Sequence, residues 1–256
     1  MAPKVALLDP VLGPLTDDLL TRDVRVFQRA KGHRFSSDDV ATAYVAHRAR
    51  PNARSVLDLG TGLGSVLLLL GWKLPDAELC GVEAQAVSFE LLSRNVARSG
   101  FRDRVRVRHG DLRDPHLLAG FERRFELITG TPPYFPPEAA LDAEDEQRAY
   151  ARIEYRGGVE AYVRAAAPLL APGAALVLCG DARAEQRVER ASGAVSLSLV
   201  GRTSVVARDG QPPLFSIWTL SATPGPLMAE TLTLRGPNGE TTAGARALRQ
   251  FSGFEP

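Results

Sequence analysis

The 256-residue chain has only two cysteines, two methionines and two tryptophans, three lysines against twenty-eight arginines, and a formal charge of +1. Each shortage excludes something. Cys80 and Cys179 lie singly in apolar runs, so neither a disulfide framework nor a C-x-x-C metal or redox motif is available, and both read as reduced core residues of a cytoplasmic protein. Thirty-one basic and thirty acidic side chains nearly cancel, which excludes a broadly basic nucleic-acid coat but leaves a local basic patch open. The longest apolar stretch, residues 63–72, is interrupted by Gly64, Ser65 and Gly71 and falls short of the roughly 18 to 20 residues that span a bilayer, so no membrane partner is expected. The apolar run 5–8 is too short for a secretory signal. His33, His47, His109 and His116 have no metal-ligand spacing, so no metal is expected. Glycine and proline together, 41 residues, stay below the share that marks low-complexity chains. With 45% hydrophobic content, the length fits one globular domain with short flanks.

From Arg54 onward, apolar β-branched runs alternate with helical patterns, which predicts a parallel sheet covered by helices on both faces. Strands are expected at 55–59, 78–82, 104–109, 125–129 and 175–179, and helices at 66–74, 86–98 and 159–170. Runs at 195–206 and 214–220, separated by a Gly-Gln-Pro-Pro turn, read as a terminal antiparallel pair that completes seven strands. A strand at 231–234 and a helix at 242–250 form a small tail. Ahead of the core, 24–28 reads as a strand and 38–48 as a helix capped by Ser36 or Ser37. The domain division is therefore 1–53, an N-terminal extension, and 54–256, the α/β domain with a small C-terminal strand and helix.

Ligands of open parallel sheets bind beyond the strand C-termini. The first core strand ends in Asp58-Leu59-Gly60-Thr61-Gly62-Leu63-Gly64. Glycines there permit a tight turn and close backbone approach, and free amides point at the ligand where the next helix starts. The spacing departs from the G-x-G-x-x-G of dinucleotide enzymes. Glu83 ends the second strand about 20 residues on, where a carboxylate can hold both hydroxyls of a ribose. Asp111 ends the third and can accept from an adenine amino group. Three acids at successive strand ends suit a cationic, phosphate-free ligand such as S-adenosylmethionine better than a pyrophosphate.

These residues resemble the Rossmann-like class I S-adenosylmethionine-dependent methyltransferases. Thr131-Pro132-Pro133-Tyr134, at the fourth strand end, is similar to the (Asn/Asp)-Pro-Pro-(Tyr/Phe) motif of enzymes that methylate planar amino or amide nitrogens. Phe35-Ser36-Ser37-Asp38, Ala151-Arg152-Ile153-Glu154, Ala171-Pro172-Gly173 and the terminal strand, turn and helix extend the resemblance to the bacterial tRNA(Val) adenine-N(6) methyltransferase family.

The resemblance implies a cofactor site of Phe35, Ser37, Asp58, Gly60, Thr61, Gly62, Gly64, Glu83, Asp111 and Thr131, with residues 1–53 supplying a lid. Capping by Ser37 explains that residue equally well. It also implies catalytic roles for Thr131, the Pro132 carbonyl and Tyr134. The first two would accept hydrogen bonds from the substrate nitrogen, and the Tyr134 ring would stack on a planar substrate.

Thr131 replaces the family's Asn or Asp, which leaves three readings: methylation of an adenine amine in tRNA with altered geometry, methylation of a small-molecule amine or protein amide nitrogen, or a non-catalytic cofactor-binding protein. The acidic stretch Glu138, Asp142, Glu144, Asp145 and Glu146 would repel phosphate. Against it stand a cluster at Arg22, Arg25, Arg29, Lys31, His33 and Arg34, and arginines at 94, 98, 102, 104, 106 and 108, which read as a solvated edge or a basic patch. The sequence does not fix the oligomeric state.

Overall fold

The computed structural model describes residues 6–121, 124–139 and 145–255. A first, three-stranded antiparallel sheet is formed by β1 (Leu7–Asp9), β2 (Gly13–Leu19) and β3 (Arg25–Arg29) in the order β1-β2-β3. The chain then enters helix α1 (Ser37–Ala49) and the main sheet. That sheet is built from β4 (Ser55–Leu59), β5 (Glu78–Glu83), β6 (Val105–His109), β7 (Phe125–Gly130), β8 (Leu170–Gly180), β9 (Ser198–Arg208), β10 (Pro213–Ser221) and β11 (Met228–Arg235), ordered β11-β9-β10-β8-β7-β4-β5-β6. The stretch β6-β5-β4-β7-β8 is parallel throughout, and β10 runs antiparallel to both β8 and β9. The expected Rossmann-like α/β sheet thus has eight strands instead of seven, because the tail strand joins its edge parallel to β9.

Helices α2 (Ser65–Lys73), α3 (Ala86–Arg98) and α8 (Ala243–Phe251) share one face of the sheet with α1. Helices α4 (Pro115–Ala119), α6 (Val159–Ala166) and α7 (Glu185–Gly193) cover the other. Helix α5 (Glu146–Arg152) lies before α6 in the chain. Five consecutive residues of α2, Val66 to Leu70, are buried, because α1 packs on its outer side while β4 and β5 hold its inner side. An apolar helix without a polar face is stable only in such a layer.

Helix α3 spans the expected 86–98 without change. Helix α1 begins with a capping box between Ser36 and Asp39, which selects Ser36 over Ser37 as the cap. The expected helix 159–170 ends as an α-helix at Ala166, and Ala167–Leu169 tightens to a 3-10 turn around Pro168. Strand β8 begins at Leu170 and runs through Pro172 and Gly173, with an irregularity in its pairing to β7 between Phe125 and Leu127. The Ala-Pro-Gly segment, which falls between the expected helix 159–170 and the expected strand 175–179, therefore lies inside an irregular strand start.

Candidate active site

At the carboxyl ends of β4, β5, β6 and β7 the structure opens a cleft of about 870 Å³, its open mouth included. The turn after β4 forms its floor. Gly60 and Gly62 adopt φ of 62° and 59°, a left-handed conformation that L-residues reach at a cost. A β-carbon on Gly60 would also collide with the hydroxyl of Tyr162 on α6. Gly64 serves packing: its φ is 97°, and a β-carbon there would lie 2.8 Å from Leu92 Cδ1.

Asp58 sits beneath this turn, buried, and accepts hydrogen bonds from Thr129 Oγ1 at 2.7 Å and Thr61 Oγ1 at 2.5 Å. Burial pushes its carboxyl up to about 6 against those hydrogen bonds, and the Glu83 charge adds to the rise. Asp58 does not line the cleft; it shapes the turn from below. Glu83 does line it, and its Oε2 accepts the Gly62 amide at 2.8 Å while Oε1 accepts the Gln85 amide at 2.7 Å. Burial raises its carboxyl above the usual range, opposed by those amides and by Arg156. At Asp111, burial is outweighed by hydrogen bonds from the Arg113 side chain (2.7 Å) and amide (2.9 Å), which hold the carboxyl below its ordinary value.

Of the sequence-derived residues, Phe35, Gly60, Thr61, Gly62, Glu83, Asp111 and Thr131 converge on the cleft, whereas Ser37, Asp58, Gly64, Pro132 and Tyr134 do not line it. The Tyr134 ring packs against the α1–α2 side of the core, and its hydroxyl lies 3.1 Å from Asp38 Oδ2 and 3.1 Å from Cys179 Sγ. The hydroxyl thus ties the half-buried ring to α1 and β8. Among the described residues, the Thr131 hydroxyl has no hydrogen-bond partner.

Asp39, Gln147, Tyr150, Arg156 and Tyr162 also line the cleft. Asp39 accepts from Ser65 Oγ at 2.6 Å and the Ser36 amide at 2.8 Å; burial and the neighbouring Asp38 raise its carboxyl to about 7. Its position three residues after Ser36, as the acid of a capping box, was the one available sequence signal. Gln147 donates to Ser88 Oγ at 3.1 Å. With Asp39, Glu83 and Asp111 on its walls and Asp58 below, the cleft is acidic, with Arg156 as a cation on its lining.

The expected basic regions are largely neutralised internally. Arg25 and Arg98 pair with Asp17, Arg29 with Asp145, Arg34 with Asp18, and Arg94 with Asp9 and Glu90. Arg104 donates to the carbonyls of Gly71, Leu74 and Ala77 around the end of α2, and Arg108 to those of Leu117 and Gly120. Asp142 and Glu144 of the acidic stretch lie outside the described residues. Among the described residues no group of three or more His, Cys, Asp or Glu is arranged to hold a metal, and no helix is long and apolar enough to cross a membrane.

A mostly parallel sheet with helices on both faces, opening a glycine-floored cleft at the carboxyl ends of its strands, is a Rossmann-like α/β fold. Residues 29–147 match the family model described as the methyltransferase small domain. Over 124 residues the chain is 38% identical to a tRNA1(Val) (adenine(37)-N6)-methyltransferase of Porphyromonas gingivalis, covering 48% of each chain. A ribosomal protein uL3 glutamine methyltransferase of Bradyrhizobium diazoefficiens is 33% identical over 127 residues, 49% of this chain and 38% of that one. In fold, the chain is similar to a predicted O-methyltransferase from Agrobacterium tumefaciens, with a TM-score of 0.66 at 17% identity, covering 86% of this chain and 98% of the other. The chain spans about half the length of the first curated relatives it matches.

Proposed function

We propose that this chain is a cytoplasmic methyltransferase that uses S-adenosylmethionine to methylate the exocyclic amine of adenine in RNA, with tRNA as the leading substrate. The observation that carries the reading is the convergence on one cleft of the glycine turn, the strand-end acids Glu83 and Asp111, and Thr131 and Pro133 of the Thr-Pro-Pro-Tyr turn.

The residues present fit such a cofactor. The cleft is acidic, as a cationic ligand requires, and its floor is held free of side chains by glycines whose β-carbon would be obstructed or strained. Each Glu83 oxygen already accepts one backbone amide, which orients the carboxylate and leaves acceptor capacity for two ribose hydroxyls. Asp111 is suited to accept from an adenine amino group, and Phe35 and Asp39, on the segment we assign as a lid within 1–53, line the same cleft. When bound, the cofactor supplies an electrophilic methyl carbon.

The chain's own part in the chemistry is positioning. An exocyclic amine conjugated to its ring is a weak nucleophile, and two acceptors that fix its N–H groups align the lone pair without a strong base. The Thr131 hydroxyl, on the cleft lining, is suited to be one of those acceptors, and the family resemblance implies the Pro132 carbonyl as the other, although Pro132 itself is off the lining. Thr131 has no internal partner among the described residues, so its hydroxyl is free to accept. Methylation of a protein amide nitrogen is the second reading, favoured by the short hydroxyl at 131 and by the glutamine methyltransferase among the relatives.

Calorimetry with S-adenosylmethionine and its demethylated product tests the cofactor; absence of binding would refute it. Transfer of labelled methyl groups to total RNA, protein extract and metabolite extract in parallel tests the acceptor, and label confined to protein or metabolites would reject RNA.

A further inference from the structure

Many arginines of this chain are held by carboxylates or carbonyls, and the segment after the Thr-Pro-Pro-Tyr turn carries three that form no ion pair among the described residues. Along residues 145–156 two of the three described carboxylates point to other partners, and the third, Glu146, is exposed at the start of α5 and forms no ion pair among the described residues. Asp145 binds Arg29, and Glu154 forms a two-pronged pair with Arg187 at 2.8 and 2.9 Å. Arg148, Arg152 and Arg156 are left without a carboxylate partner among the described residues, and Arg148 reaches only the Gly32 carbonyl at 3.4 Å. Arg148 and Arg152 are exposed and four residues apart on α5, so they share one helix face.

Exposed aromatics lie against the same segment. Phe135, the residue after the Thr-Pro-Pro-Tyr turn, is 39% exposed and Tyr155 is 45% exposed. Phe135 is stitched to this segment by its amide on the Arg152 carbonyl (3.0 Å) and its carbonyl on the Glu154 amide (2.8 Å). Tyr155 meets Tyr150 edge-on at 5.3 Å, and Tyr150 lines the cleft together with Thr131. Unpaired guanidiniums beside exposed rings are the chemistry that holds single-stranded nucleic acid, the cations meeting phosphates and the rings stacking on bases. A glutamine-bearing protein loop needs neither.

We propose that Arg148 and Arg152, with Phe135 and Tyr155, form a rim that binds a single-stranded RNA segment and delivers one base to Thr131. The proposal rests on the RNA reading above and names the surface that would serve it.

The test uses the full chain and a fluorescein-labelled single-stranded oligoadenylate of about ten nucleotides, with anisotropy titrations across a salt series. Arg148→Gln/Arg152→Gln should weaken binding and make the log–log salt slope shallower by about 1.4, from about 0.7 per phosphate contact on single strands. Tyr155→Ala and Phe135→Ala should each weaken binding by about five- to hundredfold, the worth of one stacked base. All these variants should bind S-adenosylmethionine like the wild type in calorimetry, so a failure of the rim is distinguishable from a failure of the cofactor site. Unchanged RNA affinity and salt slope in the variants would overturn the proposal. So would a wild type that ignores the oligonucleotide but binds a glutamine-containing peptide through the same residues.

Discussion

Glu83, at the end of β5, accepts the backbone amide of Gly62 at 2.8 Å, so the carboxylate proposed to hold the ribose also braces the turn that floors the cleft. Glu83→Gln removes the charge and turns one of the two amide-accepting oxygens into a donor that faces a backbone N–H. It should weaken S-adenosylmethionine binding by about ten- to hundredfold, corresponding to about 1.5–3 kcal/mol for a charge-assisted hydrogen bond. Calorimetry checks this, and unchanged affinity would remove Glu83 from the site.

Gly60→Ala combines a left-handed φ of 62° with a collision against the Tyr162 hydroxyl. The backbone alone costs about 1–2 kcal/mol, so a fall in Tm of several degrees is expected. Adding Tyr162→Phe should restore part of it in the double variant. A double variant no more stable than Gly60→Ala would show that the hydroxyl is not the obstacle.

Asp39 provides a pH signature. Its carboxyl is raised from 3.8 to about 7, so between these values the folded chain holds a proton that the unfolded chain has released. Stability from this group is therefore present at low pH and lost as pH rises from about 4 to about 7. Asp39→Asn should flatten that decline in denaturant unfolding measured at about pH 5 and about pH 7. An unaltered pH dependence would show that Asp39 is not the source.

Tyr134 tests the choice between packing and stacking. Tyr134→Phe removes the hydroxyl shared with Asp38 and Cys179 and should lower stability by about 1 kcal/mol in denaturant unfolding. A residue held in place only to stack on substrate would leave the denaturation midpoint where it is.

Thr131→Asn lengthens the acceptor at the turn. On the adenine reading it should raise kcat/KM for RNA methylation, because an amide oxygen reaches further than a hydroxyl. A fall would mean that the pocket is built around threonine.

The central fold was legible because its signals are local. Strand β4 is an apolar run closed by glycine, and α3 is ended by Gly100, so both appear at 55–59 and 86–98 in the sequence and in the structure. Helix α7 escaped notice because it is dominated by charged and small residues and buries only Val188, Ala191 and Ser192. Strand β2 escaped for a related reason, since Pro14, Asp17 and Asp18 hide its alternation. At the site, the glycine turn and Glu83 were readable from their spacing. Tyr162 reaches the turn from about a hundred positions away in sequence, and no local pattern marks it. The inward engagement of Arg104 is illegible for the same reason: the carbonyls around the end of α2 that hold it come together only in the folded chain.

Asn95 on α3 accepts the Phe27 amide at 2.7 Å, and its Nδ2 donates to the carbonyls of Phe27 at 3.1 Å and Leu63 at 3.0 Å. One side chain thus acts as the neighbouring strand for β3 while gripping the glycine turn. The small amino-terminal sheet and the cleft floor are thus joined through one side chain, and the Phe27 amide becomes a natural reporter. Its hydrogen exchange should slow when the floor is stiffened by a ligand, without any probe being placed in the cleft.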